Sequence, residues 1–165
     1  MRSARRALLR PSALRDDAVV PGRIYTVGYE GLTPDGLVER LQGARISIVF
    51  DVRLNPTSRK PGFSRKALAE RLERAGIEYV HERELGNPAD NRDSFRNGDG
   101  NAGKERMRVL LSNGAGDALT RVMARASGTR VALLCVEREQ ARCHRGVIAE
   151  VAAETDPTLE VIPIL

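Results

Sequence analysis

Five short apolar runs, spaced so that helical pattern fits between them, constrain this chain more than any other feature. They are residues 24–28 (IYTVG), 46–52 (ISIVFDV), 77–81 (IEYVH), 131–135 (VALLC) and 159–164 (LEVIPI). Runs of this length read as strands, and 46–52 and 131–135 are apolar almost throughout, as strands covered on both faces should be. Thr33 and Pro34 make a helix start, an N-cap followed by proline in the first turn, and Leu37, Val38 and Leu41 supply its apolar stripe. Ser64 is placed to cap a second helix with Ala67, Leu68, Leu72 and Ala75 inside and Gly76 at its end. Further helical pattern covers residues 104–111, 117–126 and 143–153. Residues 84–103, crowded with Gly and Asn, predict a long loop. Alternating strand and helix imply βαβ units. The expected fold is α/β, a single three-layer domain with a mainly parallel five-stranded sheet and helices on both faces.

A chain of 165 residues suits one domain. The formal charge of +5 suggests a nucleic-acid partner, but its distribution weakens that idea. Residues 1–23 hold six arginines against Asp16 and Asp17, which accounts for +4 of the total. Residues 1–22, without a core period, are expected to be a disordered basic leader to a domain over residues 23–165. One basic stretch remains in the body: residues 53–74 contain seven Lys or Arg against Glu70 and Glu73. It reads as a solvated helix face with a charged loop, or as a local phosphate-binding patch. No apolar run is long enough to span a bilayer, so no membrane association is expected. Two cysteines and no secretory pattern point to a reducing cytoplasm rather than a disulfide framework.

Parallel strands end at one edge, and ligands bind outside those carboxyl ends. The polar residues that follow the runs therefore converge on one rim: Tyr29 and Glu30, Asp51 and Arg53, His81, and the dense segment Cys135, Glu137, Cys143, His144 and Arg145. Cys143, His144 and Arg145 open the last helix, where unpaired N–H groups and the helix dipole favour an anion and lower a thiol's pKa. Cys143 is thus expected to be the more reactive thiol, and Arg145 suits phosphate or carboxylate. Cys135, at a strand end facing that helix, is either an inert packing residue or a nucleophile. That arrangement is like the one in rhodaneses and cysteine phosphatases, and residues 32–53 have a rhodanese-like look. The tight loop those enzymes use is missing, because seven residues without glycine separate the cysteines. Cys135, Glu137, Cys143 and His144 are also ligand-type side chains, but their spacing matches no standard zinc module, and no metal is expected. Asp51 and Arg53 either pair structurally or act as general base and phosphate-binding arginine. Ser58 could contact the same anion.

Several motifs together resemble domain-of-unknown-function family 488. They are residues 26–31 (TVGYEG), Asp51-Val52-Arg53 with Pro56, Ser58, Arg59, Lys60, Pro61, Gly62 and Phe63, residues 76–81 (GIEYVH), Leu85-Gly86, and Cys135-x-Glu137 with Cys143-His144-Arg145. Val136 is the one apparent departure. The resemblance implies a cytoplasmic, mostly prokaryotic α/β domain with its site among the rim residues; it implies no established reaction and leaves any cofactor open. The first functional expectation is an enzyme acting on a phosphate-bearing substrate, a nucleotide or nucleic acid. Arg53, Cys143, Arg145, Tyr29 and Ser58 would bind substrate, and Cys135, Glu137, His144 and Asp51 would carry the chemistry. The alternative is a non-catalytic nucleic-acid-binding module built on residues 53–74.

Overall fold

The computed structural model describes residues 21–96 and 100–165. Its five strands are β1 (Arg23–Gly28), β2 (Ile48–Asp51), β3 (Glu78–His81), β4 (Val131–Cys135) and β5 (Glu160–Pro163). They form one sheet in the order β3-β2-β4-β1-β5, and every pairing is parallel. The helices are α1 (Pro34–Gly43), α2 (Arg65–Arg74), α3 (Ala89–Arg96), α4 (Gly100–Asn113), α5 (Gly116–Ala126) and α6 (His144–Thr155). The expected α/β class and parallel sheet are both present. Of the leader expected over residues 1–22, residues 1–20 lie outside the described residues.

Side-chain alternation along the fully buried strands divides the core in two. Leu133 and Phe50 pack with Met107, Val122 and Val147, which belong to α4, α5 and α6. Leu134 and Val49 pack with Leu37, Leu41, Leu68 and Leu72, which belong to α1 and α2. Adjacent residues of one strand thus serve opposite faces, as a period of two requires.

Thr33 caps α1 as expected, its hydroxyl accepting from the Gly36 N–H at 3.0 Å. Ser64 occupies the N-cap of α2, but its hydroxyl makes no capping bond. The long loop expected over residues 84–103 is a correction. A 3-10 turn (Arg83–Leu85), α3 and the start of α4 occupy it. The segment lacks an apolar stripe because α3 buries only Asn91 and Phe95. Asn91 donates to the Asn87 side chain and to the Gly103 carbonyl, so polar contacts take the place of apolar periodicity. None of the described helices is long and apolar enough to cross a membrane.

Chain direction makes a crevice beside β4. The connection leaving β1 crosses one face through α1, and the connection leaving β4 crosses the other face through α6. β1 and β4 are neighbours, so the two connections diverge above their carboxyl ends, where ligands enter parallel sheets.

Candidate active site

The segment after β4 bends over the end of β1 and is held there by backbone contacts. The Tyr29 N–H donates to the Cys135 carbonyl at 3.2 Å, and the Glu30 N–H donates to the Val136 carbonyl at 2.9 Å. Gly28 permits this approach: a Cβ on it would lie 1.8 Å from the Glu137 carbonyl oxygen. Any side chain there would displace the loop. Arg145 fastens the loop from the helix side, its Nη1 donating to the Glu137 carbonyl at 2.5 Å and its Nη2 to the Arg138 carbonyl at 3.0 Å.

Four reactive side chains meet under this loop. The Cys135 Sγ lies 3.1 Å from the Glu137 Oε2 and 3.8 Å from the His144 Nδ1, and the Cys143 Sγ is also 3.8 Å from that nitrogen. The His144 Nε2 is 2.9 Å from the Val52 carbonyl oxygen. A carbonyl can only accept, so Nε2 carries the proton, and a neutral ring turns the Nδ1 lone pair to the two sulfurs.

The electrostatics correct one expectation. Cys143 is 2% exposed, and its loss of water, with the neighbouring Cys135 sulfur, pushes its thiol well above the usual range. Desolvation outweighs the helix-end effect that predicted a lowered value. For Glu137, burial works to raise the pKa, but its own backbone N–H, the two thiols and, when the ring is protonated, the charge of His144 hold it below the usual carboxylate range. For His144, burial works to lower the pKa, and Cys143, the Val52 carbonyl and Glu137 together raise it.

Cys135, Glu137 and His144 open onto a pocket that is also lined by Tyr29, Arg53, Arg92 and Arg96. Other expected site residues have different surroundings. Asp51 is fully buried and does not line the pocket. Its Oδ1 accepts from the Arg53 N–H and Nε, and its Oδ2 accepts from the Arg53 Nη2 at 2.5 Å and the Tyr79 hydroxyl at 2.6 Å. Arg53 spends its remaining contacts on the Tyr29 hydroxyl and the Phe63 carbonyl. Burial works to lower the Arg53 pKa, and the Asp51 carboxylate more than reverses this. Ser58 accepts from the Lys60 N–H and lines a separate surface cavity near the start of α2. His81 gives its Nε2 proton to the Arg53 carbonyl at 2.8 Å.

The chain belongs to the family described as Domain of unknown function DUF488, whose model matches residues 33–152. The DUF488 match takes in Asp51, Arg53 and the whole of residues 135–145, and it leaves β1 and β5 outside. No curated protein matches the chain.

Sequence reasoning did not single out Arg92 and Arg96. Both belong to α3, in the segment that reads as loop. A signal was available, since Arg92 and Arg96 are four apart and would share a face of any helix formed there.

Proposed function

We propose that this DUF488 domain is an enzyme acting on a phosphate-bearing substrate at the carboxyl edge of its sheet. One observation carries the reading: Arg92 and Arg96 line the same pocket as Cys135, Glu137 and His144. Neither arginine has an ion-pair partner among the described residues. Cations without an ion-pair partner, beside a cluster of titratable groups in a crevice, favour an anionic substrate. Arg53 and Arg145 contribute differently from expectation. Their hydrogen bonds run to protein groups, so they position the rim while Arg92 and Arg96 meet the substrate. Glu137 is the proton carrier in this reading, because its carboxylate stands at the pocket and beside Cys135.

Calorimetric titration with a panel of nucleotides and short oligonucleotides tests the reading. Arg92→Ala and Arg96→Ala should each weaken the best ligand about tenfold, the worth of one charge-assisted hydrogen bond. Glu137→Gln should leave binding intact and cut turnover about 100-fold or more. Affinity indifferent to both arginines would end the proposal.

A further inference from the structure

We infer that Cys135, Cys143 and His144 bind one divalent ion of the zinc class, with Glu137 standing on the side that faces the pocket. The inference goes beyond the proposed activity and stands independently of it. A tetrahedral ion with bonds of about 2.3 Å to sulfur and about 2.0 Å to nitrogen sets S···N edges of about 3.5 Å and an S···S edge of about 3.8 Å. Both sulfurs lie 3.8 Å from the His144 Nδ1, and the three ligand atoms all lie within 4.8 Å of one another. Small side-chain adjustments bring these distances to bonding geometry.

The imidazole supplies a second, independent observation. Ligand histidines usually donate their other ring N–H to a carbonyl or carboxylate, which fixes the tautomer and aims the lone pair at the ion. His144 does this through the Val52 carbonyl. Its Nδ1, in a residue only 5% exposed, meets no oxygen or nitrogen donor among the described residues, only two weakly donating thiols. Packing alone explains buried cysteines, but it does not explain a buried lone pair aimed between them.

The neighbouring positions of Cys143 and His144 argue against a shared ion on sequence grounds. The backbone removes that objection. Cys143 is extended, with φ −133° and ψ 140°, and α6 begins only at His144, so the two side chains leave a bend rather than one helical turn. Two thiolates and one imidazole select zinc-class ions over magnesium or calcium. Three protein ligands with an approach from the pocket resemble catalytic rather than structural zinc chemistry.

The test uses the full chain, reduced and stripped with chelator, and titrated anaerobically with Co²⁺. The inference expects tetrahedral visible bands and a thiolate-to-metal charge-transfer band that saturate at one ion per chain and bleach on adding Zn²⁺. Zn²⁺ should also raise the thermal midpoint of the unmodified chain, and chelator should reverse the rise. Cys135→Ser and Cys143→Ser should each lose charge-transfer intensity, and Arg92→Ala should keep all of it. Wild-type protein without saturating bands overturns the inference, as do bands unchanged in both cysteine variants. If the cysteine variants do not fold, the wild-type titration and midpoint decide alone. An Arg92-dependent nucleotide site without cobalt bands would sink the ion and leave the proposed activity standing.

Discussion

Asp51 and Arg53 fit two readings in sequence, a catalytic pair and an architectural one, and in the fold they form a buried ion pair. Alternation aims Asp51, the last residue of β2, and Arg53, two residues beyond it, to the same side, which fits a general base beside an anion-binding arginine as well as a salt bridge. Burial favours the salt bridge: Asp51 is fully buried, Arg53 is 5% exposed, and the Tyr79 hydroxyl takes up the same carboxylate. Tyr79 itself is held above the usual phenol range, by burial first and by Asp51 next. Removing one partner of a buried pair leaves an uncompensated charge, which costs about 3–5 kcal/mol. Asp51→Ala should therefore lower the unfolding free energy by about that much in a urea titration. A loss below about 1 kcal/mol would restore Asp51 as a candidate base. Arg145 has the same character. Arg145→Met would leave the Glu137 and Arg138 carbonyls without their donor, a destabilisation of about 2 kcal/mol, readable in the same titration.

Among the elements, the loop between β4 and α6 depends on a single missing side chain. Gly28→Ala places a methyl where the Glu137 carbonyl oxygen now stands, and overpacking of this kind costs about 1–3 kcal/mol. The sheet should survive, because Gly28 ends β1. The displaced loop should carry Glu137 away from Cys135, so turnover should fall while far-ultraviolet circular dichroism stays near wild type. Normal turnover in a folded Gly28→Ala protein would remove the loop from the site. This element also marks how far the sequence was legible. β4 spans residues 131–135 as read, because five consecutive apolar residues can be satisfied only in a strand covered on both faces. The parallel sheet puts Cys135, Glu137 and His144 on one rim, but their contact also needs the Gly28 approach and the Arg145 hydrogen bonds. The arginines of α3 were hidden, because that helix is anchored by Phe95 and an Asn91 network and carries no apolar period. The raised Cys143 pKa was equally hidden, since sequence shows a helix start but not the water lost around it.

Over the whole molecule, charge distribution separates an enzyme with a local anion site from a module that grips nucleic acid through its basic surface. The seven Lys and Arg of residues 53–74 look formidable in sequence, yet three are engaged internally. Arg53 pairs with Asp51, Lys66 with Glu70 and Arg71 with Asp35. The remaining members lie in and beside α2 and do not line the pocket that holds Arg92, Arg96 and Cys135. Counterion release converts this difference into a slope, because each phosphate neutralised on a single strand contributes roughly −0.7 to the change of log K with log salt. Binding through Arg92 and Arg96 should give a slope of about −1.4 for a short single-stranded oligonucleotide. Binding through four or more exposed residues of the 53–74 stretch should give about −3 or steeper. The measurement is a fluorescence-anisotropy titration at several salt concentrations, repeated with Arg92→Ala and with Arg59→Ala combined with Lys60→Ala. The shallow slope should flatten further in Arg92→Ala and stay unchanged in the Arg59 and Lys60 double variant. A steep slope that only the double variant reduces would make this domain a binding module, with its Cys, Glu and His cluster serving something other than nucleic-acid chemistry.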